Sequence, residues 1–122
     1  MTIEEYKKLL KSENSPSKYH NKKVTFRGEL FDSIKERDYY ILLLDRQKRG
    51  EIKEIKRQVP YTIVPDFTDS SGNKHKALTY IADFVYTDSS GLHIVDTKGY
   101  RTEVYKIKKK LLAYKGIIIE EV

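Results

Sequence analysis

Residues 80–101 read YIADFVYTDSSGLHIVDTKGYR, and this stretch decides the fold because it carries the strongest hairpin signal in the chain. Alternating apolar residues on either side of TDSSG predict a strand over residues 78–86, a turn, and a second strand over residues 92–98. Asp83 interrupts the first strand. A carboxylate on a buried strand face destabilises the fold unless another group compensates its charge, so Asp83 predicts a partner.

The length of the turn determines which residues face one another across this hairpin. With Asp88 to Gly91 as a four-residue loop, counting back along both strands brings Asp83 opposite Asp96. The same register places Lys98 on their side of the sheet. A one-residue slip would move Asp96 and Lys98 to the other face, so the prediction depends on the loop.

Outside the hairpin, the sequence predicts helices around further strands. The predicted elements are a helix over residues 2–11, a strand at 24–26, a helix from 32 or 33 to about 48, a strand over 56–64, a helix over 102–115 and a final strand in GIIIEEV. This order predicts a mixed central β-sheet with flanking helices, of the α/β or α+β class.

Three local patterns refine this prediction. Pro60 lacks a backbone N–H and therefore predicts that the strand over residues 56–64 lies at an edge of the sheet or contains a bulge. Val104, Ile107 and Leu111 form a stripe on the last helix that is expected to face the sheet. The apolar run in GIIIEEV predicts a strand buried on both faces.

Composition limits the classes of function. The 122 residues contain no cysteine, which excludes disulfides and thiolate chemistry and fits a reducing cytoplasm. No apolar run is long enough to cross a bilayer, so no membrane partner is expected. The net charge of +6 and the ten tyrosines suit a polyanion such as nucleic acid, although a solvated lysine-rich surface explains the charge equally well.

Paired carboxylates beside a lysine indicate a metal site. Asp83 and Asp96 would repel each other unless a cation lay between them. Hard oxygen ligands without histidine or cysteine favour Mg²⁺ or Mn²⁺, and the backbone carbonyl of Thr97 adds another oxygen. Lys98 is placed to polarise an attacking water or to stabilise charge on a phosphate.

Glu36 is a candidate third acid. It lies on the same helical stripe as Tyr40, Leu43 and Leu44, so it is expected to face the sheet. A local role is also open, because Ser33 and Glu36 have the spacing of a capping box.

The ordered pieces Glu36 in FDSIKERDYY, Asp83 in YIADFVY and Asp96-Thr97-Lys98 in VDTKG resemble the PD-(D/E)XK nuclease superfamily. Ala82 stands where the proline of that motif would be. Over residues 17–115 the chain is similar to a small phage-borne family of unknown function within that superfamily. The resemblance implies a restriction-endonuclease-like core and metal-dependent hydrolysis of a phosphodiester.

The resemblance also implies roles for individual residues. Asp83 and Asp96 would be metal ligands, Glu36 a further ligand directly or through water, and Lys98 the catalytic lysine. Gln58 stands where relatives often carry a polar residue beside the site, although an ordinary strand-edge amide also explains it.

The last helix carries the candidate contacts to nucleic acid. Lys106 and Lys109 are expected on its solvent-exposed side, where they would bind the phosphate backbone of a nucleic acid. Lys108 is expected to extend back over the site toward a phosphate. Tyr100 and Arg101 follow the active strand and would contact substrate or cover the sheet end. A solvated amphipathic helix explains each lysine as well.

Together with the metal site and the basic charge, the resemblance implies a metal-dependent DNA endonuclease of phage or prophage origin that acts in the host bacterial cytoplasm. Residues 1–16 would form a helix and linker, and residues 17–122 the nuclease-like domain, which leaves little room for sequence-specific recognition. Branched or replicating DNA is therefore the expected substrate, and a homodimer would address two strands. The alternative is an accessory module for nucleic-acid binding or packaging that keeps the fold with little catalysis.

Overall fold

The computed structural model describes residues 22–98 and 101–122. The predicted N-terminal helix and the predicted boundary at residue 16 lie outside these ranges. The chain divides into two compact units, Met1–Asp38 and Tyr39–Val122, and the division falls inside a helix. Among the residues described, no helix has the length and apolar character that crossing a membrane requires.

The described elements include every helix and strand predicted within these ranges, in the predicted order, and three short strands at 29–31, 67–68 and 74–75 that were not predicted. They are β1 (Val24–Phe26), β2 (Glu29–Phe31), α1 (Ile34–Lys48), β3 (Lys53–Val64), β4 (Phe67–Thr68), β5 (Lys74–His75), β6 (Leu78–Asp88), β7 (Gly91–Asp96), α2 (Glu103–Tyr114) and β8 (Ile119–Glu121). The predicted starts and ends of both described helices are confirmed to within two residues.

In the first unit, β1 and β2 form a short antiparallel hairpin in which Val24 pairs with Phe31. Its turn contains Gly28 with a φ of 78°, a left-handed conformation that glycine adopts without a Cβ clash. The side chain of Ser33 then accepts a hydrogen bond of 3.1 Å from the backbone N–H of Glu36. This N-cap contact explains why α1 begins here.

In the second unit, four strands form one sheet in the order β3-β6-β7-β8. The first three are antiparallel neighbours, whereas β8 runs parallel to β7 after the crossover through α2. The sheet is therefore mixed, as predicted. Strand β3 is at its edge, as Pro60 indicates, because a residue without an N–H fits a strand paired on one side only.

A helix covers each face of this sheet. On one face, Tyr105 and Leu112 of α2 join the core cluster that contains Val85. On the other face, the rings of Tyr39 and Tyr40 in α1 contact Phe84, with ring centroids 5.4 and 5.9 Å apart. The predicted class, α+β with a mixed central sheet flanked by helices, is confirmed.

The predicted inward face of α2 is wrong. Val104, Ile107 and Leu111 are exposed, and the helix instead buries Tyr105 and Leu112. Neighbouring residues on a helix point 100° apart, so the exposed stripe of Val104, Ile107 and Leu111 lies beside a second apolar stripe that contains Tyr105 and Leu112. The sequence pattern shows both stripes, and packing against the sheet selects the one with the larger aromatic residue.

The end of the chain also differs from the prediction. Strand β8 is an edge strand of only three residues; Ile119 is buried and Ile118 is exposed, so the run is not buried on both faces. The helix before it stops at Gly116, whose φ of 88° suits a helix end, and the N–H of Ile117 donates to the carbonyl of Leu112.

Candidate functional site

The β6–β7 hairpin has the predicted register with a shorter turn. Thr87 pairs with Leu92 as expected, but the ladder continues to Asp88 and Gly91, so the loop is Ser89–Ser90. A two-residue loop leaves the register unchanged because one further facing pair has been added.

At the other end of this hairpin, the ladder reaches Phe84 and Val95, one pair before Asp83 and Asp96. Both aspartates are buried, with 5% and 1% of their surface exposed. Buried carboxylates are uncommon in proteins and need hydrogen-bond donors or cations. The predicted juxtaposition of the two acids is therefore present where β6 and β7 separate.

Thr97 holds the carboxylate of Asp83. Its backbone N–H and its hydroxyl donate to Oδ2 of Asp83 at 2.9 and 3.0 Å. Burial raises the pKa of Asp83, the Thr97 N–H opposes this, and the charge of Asp96 raises the pKa further. Asp83 is thus a desolvated acid whose ionised form would gain from a nearby cation.

Asp96 accepts hydrogen bonds through both oxygens. The Tyr80 hydroxyl donates to Oδ2 at 2.6 Å, and the backbone N–H of Lys98 donates to Oδ1 at 2.8 Å. Burial and this bond to Asp96 raise the pKa of Tyr80, so its phenol remains a neutral donor. Sequence reasoning missed Tyr80, although its alternation with Ala82 on the core face of β6 is a signal that could have indicated it.

Lys98 and Tyr105 lie beside the acid pair. The ammonium of Lys98 is 6.0 Å from the centroid of the Tyr105 ring, and its charge lowers the pKa of Asp83. Burial, followed by the charge of Asp96, raises the pKa of Tyr105 to about 12. The Tyr105 hydroxyl is buried and has no hydrogen-bond partner among the described residues, which marks it as a donor with unused capacity.

Gln58 lies opposite Asp83 in the sheet. The β3–β6 pairing is in register at Arg57–Phe84 and again at Val59–Ala82, which leaves Gln58 facing Asp83 between them. Gln58 has a φ of 52°, a conformation that favours glycine.

The alternation of β6 shifts at the same point. Tyr80 and Ala82 belong to the core cluster beneath α2, but the next member along the strand is Val85. In a regularly alternating strand the next residue on this face would be Phe84, but the ring of Phe84 contacts α1 on the other face. The expected clean alternation is therefore wrong at Asp83, where the residues that β6 presents to α2 change from even to odd numbers.

Glu36 is buried in the first turn of α1, and its backbone N–H is capped by Ser33. Its burial agrees with the stripe that includes Leu43, which is also buried. Glu36 belongs to the unit Met1–Asp38, and its role as a third ligand stays a prediction.

The predicted nucleic-acid contacts of α2 have protein partners. The ammonium of Lys108 donates to the carbonyl of Thr79 at 2.9 Å, so it supports β6 rather than reaching over the acids. Lys106 pairs with Glu103 at 3.2 Å in an exposed contact.

Two further cations of the predicted set share one acid. Arg101 and Lys109 both form ion pairs with Glu121 of β8. Tyr100 lies outside the described residues.

The acid pair supplies oxygen donors of the kind that Mg²⁺ and Mn²⁺ prefer. Within residues 22–98 and 101–122, no group of three or more His, Cys, Asp or Glu side chains is arranged to hold a metal. Magnesium is commonly held by one or two carboxylates together with waters and substrate phosphates. Asp83 and Asp96, both oxygen donors and both desolvated, fit this mode.

Comparisons with known proteins give a family. Residues 16–121 match the family described as "Protein of unknown function (DUF1064)". No curated protein and no solved structure matches the chain. Since the match covers most of the sequence and includes every candidate site residue, the chain belongs to the DUF1064 family.

Proposed function

We propose that this protein is a metal-dependent deoxyribonuclease that hydrolyses phosphodiester bonds, with the site of a PD-(D/E)XK nuclease. One observation carries the proposal: Asp83 and Asp96 are buried together where β6 and β7 separate, and Lys98 follows directly. Replacing buried charged groups by apolar residues is often neutral or stabilising, so two desolvated acids beside a lysine support a role in binding or chemistry.

Asp83 and Asp96 would hold Mg²⁺ or Mn²⁺, with the carbonyl of Thr97 as a further oxygen. When bound, the ion supplies Lewis-acid stabilisation of charge on the phosphate. Thr97 and Tyr80 orient the two carboxylates by donating to one oxygen of each, at 2.9 and 2.6 Å. Such supporting hydrogen bonds fix ligand orientation before substrate arrives.

Lys98 is the group that would meet the substrate, and Tyr105 would support the site from its buried position. The exposed side chain of Lys98 would stabilise negative charge on the phosphate or polarise the attacking water. The Tyr105 hydroxyl, whose hydrogen-bonding capacity is unused within the described part of the chain, would donate to a water. Tyr105 was not among the residues predicted from the sequence.

The net charge of +6 supports a polyanionic substrate. Lys106 and Lys109 retain exposed ammonium groups, and their ion pairs with Glu103 and Glu121 are surface contacts that a phosphate can replace. The same proposal includes branched or replicating DNA as the substrate, a phage origin, and action in the host bacterial cytoplasm.

A second candidate is an accessory module for nucleic-acid binding or packaging. This candidate is favoured because the protein already satisfies the carboxylate of Asp96, whose two oxygens accept hydrogen bonds from Tyr80 and from the backbone N–H of Lys98. A carboxylate satisfied in this way can serve as a structural group. The two candidates differ in whether the acids are needed for chemistry or for folding.

A cleavage panel tests the proposal. The protein would be incubated with linear duplex, single-stranded, flap and four-way-junction DNA, each with Mg²⁺, Mn²⁺ or EDTA. We expect cutting that requires metal and is fastest on a branched substrate. Asp96→Asn should abolish it, and Lys98→Ala should lower turnover by about 100-fold while DNA binding persists.

The matched control is Lys74→Ala, an exposed lysine on β5 away from the acids. It removes the same charge as Lys98→Ala and should cut at the rate of the wild type. Metal-independent cutting, or full activity of Asp96→Asn, would overturn the proposal. Salt-sensitive DNA binding without any cutting would favour the accessory module.

A further inference from the structure

Strand β8 brings another acid, Glu121, next to the proposed site. Glu121 pairs with Asp96 across the parallel β7–β8 ladder, and the backbone N–H of Val122 donates to the carbonyl of Asp96 at 3.0 Å. Residues paired across neighbouring strands share one face of a sheet, so the side chain of Glu121 lies on the same face as that of Asp96. This is the face that α2 covers, because Lys109 of α2 forms an ion pair with Glu121.

Glu121 holds two cations that come from different segments of the chain. Nε of Arg101 contacts one oxygen of its carboxylate, and the ammonium of Lys109 contacts the other. These three side chains are 33%, 36% and 25% exposed for Arg101, Lys109 and Glu121, whereas the Lys106–Glu103 pair of α2 is 58% and 85% exposed. The cluster is therefore better shielded than an ordinary surface ion pair, and two cations against one acid leave it with a net positive charge.

The position of the Arg101 side chain depends on this contact. Arg101 belongs to no helix or strand and lies between β7 and the start of α2. Because Nε makes the contact with Glu121, both outer amino groups of the guanidinium can still donate to another acceptor, such as a phosphate. Burial and then the charge of Asp96 raise the pKa of Tyr105, whereas the charge of Arg101 lowers it, so Arg101 acts on the same hydroxyl as the acid pair.

We propose that Glu121 is a positioning residue that holds Arg101 beside the acid pair, where Arg101 binds the DNA phosphate next to the scissile one. This role rests on the nuclease function proposed above. A DNA strand carries a phosphate at every nucleotide, so a strand whose scissile phosphate lies at Asp83 and Asp96 brings a neighbouring phosphate to the adjoining strand β8. The ammonium of Lys109 holds the other carboxylate oxygen, and its exchange onto a phosphate would leave the contact between Glu121 and Arg101 in place.

Positioning and charge predict opposite effects for the loss of this acid. By charge alone, a carboxylate beside a phosphate repels DNA, so its removal would strengthen binding. An arginine that is already ordered loses less rotamer freedom when it binds a phosphate, so removing the acid that orders it weakens binding. Glu121→Gln should therefore lower the affinity for DNA even though it raises the net charge of the protein.

Fluorescence anisotropy with labelled four-way-junction DNA in EDTA measures this affinity without cutting. We expect Glu121→Gln to raise the dissociation constant about fivefold. The slope of the logarithm of affinity against the logarithm of salt concentration should become shallower by about one, because one phosphate contact is lost. Arg101→Gln should have the same two effects, and the double variant should bind no more weakly than Arg101→Gln alone.

Glu103→Gln is the matched control, because it makes the same charge change in the exposed pair with Lys106. It should bind DNA at least as tightly as wild type, with an unchanged salt slope. Circular dichroism spectra should be the same for Glu121→Gln, Arg101→Gln and wild type, since each substituted side chain is partly exposed and lies outside the core cluster. Unfolding of Glu121→Gln would leave Arg101→Gln and its salt slope as the test of the phosphate contact.

The positioning role is overturned if Glu121→Gln binds DNA as tightly as wild type or more tightly, or if the double variant is weaker than Arg101→Gln. It is also overturned if Arg101→Gln keeps the wild-type salt slope, or if the wild type does not bind DNA. These measurements are made without metal. Failure of the proposed function is seen separately, as a wild type that binds DNA but does not cut it in Mg²⁺ or Mn²⁺.

Discussion

At the scale of single residues, the two aspartates differ in how the protein holds them. Asp83 accepts from Thr97 through one oxygen, whereas Asp96 accepts through both oxygens, from Tyr80 and from Lys98. Burial raises the pKa of Asp83 above its usual value. Its ionised form therefore opposes folding at neutral pH, as expected of a group retained for binding a cation.

Asp83→Asn should stabilise the metal-free protein at neutral pH while it abolishes cutting. The amide oxygen can still accept from both groups of Thr97, and the penalty for burying a charge is removed. Because the folded pKa of Asp83 is raised, the folded wild type binds the proton more tightly and gains stability as the pH falls through that pKa.

The difference in unfolding free energy between Asp83→Asn and wild type should therefore shrink on going from pH 7.5 to pH 4. Urea titrations at both pH values measure it. A variant that is less stable than wild type at neutral pH would show that Asp83 is structural.

Tyr105→Phe and Tyr80→Phe form a matched pair that removes one hydroxyl each. The Tyr105 hydroxyl has no partner among the described residues, so its loss should leave stability unchanged or higher and lower cutting by at least about tenfold. The Tyr80 hydroxyl supports Asp96, so its loss should destabilise the protein by about 1–2 kcal/mol.

Thermal unfolding and single-turnover cutting of both variants distinguish these roles. A Tyr105→Phe protein with wild-type turnover would remove this residue from the proposed site.

At the scale of elements, the hairpin was predictable and the orientation of α2 was not. Strand alternation and turn residues are local signals, and they determined the β6–β7 register even though the loop was two residues shorter than expected. The inward face of α2 depends on the sheet it packs against, because Val104 and Tyr105 begin two stripes of similar apolarity. No feature of the sequence predicts the left-handed backbone conformation of Gln58.

A histidine links the hairpin turn to the last strand. The two ring nitrogens of His93 contact Asp88 at 2.8 Å and Glu120 at 2.6 Å, and its ring stacks on Tyr86. Hydrogen bonds to Glu120 and then to Asp88 raise the pKa of His93. His93 pairs with Tyr86 across the hairpin, so the two rings lie on the same face of the sheet.

The stability that His93 contributes should depend on pH. A raised folded pKa means that the contribution is fully present below the unfolded pKa, about 6.5, and is lost as the pH rises through the folded value. The destabilisation caused by His93→Gln should therefore be larger at pH 6 than at pH 9, as measured by urea unfolding. An equal effect at the two pH values would show that the ring acts through stacking alone.

At the scale of the whole molecule, the sequence predicted the mixed sheet, its two helical layers and the meeting of the acids. Each of these follows from periodicity and from the hairpin. It could not predict Tyr105 as a neighbour of Asp96, since α2 meets the sheet there only through tertiary packing. The membership of Glu36 in the site stays a prediction.

Metal binding should stabilise the whole molecule. At ten times the dissociation constant, a ligand that binds only the folded state adds about 1.4 kcal/mol, which corresponds to roughly 5 °C in the melting temperature of a domain of this size. Millimolar Mg²⁺ or Mn²⁺ should therefore raise the melting temperature of wild type, in scans by differential scanning fluorimetry. The same ions should leave Asp83→Asn unchanged, and equal shifts in both proteins would contradict a site at the aspartates.

The paired irregularity at Gln58 and Asp83 constrains how the sequence can change length over evolution. Strands β3 and β6 are in register on both sides of these residues, so deleting one of them alone would shift every later pair by one position. Deleting both would restore a regular ladder and remove the acid. Insertions and deletions in β3 are therefore expected to be inherited together with compensating changes in β6, and relatives that keep the acid should keep its opposite residue.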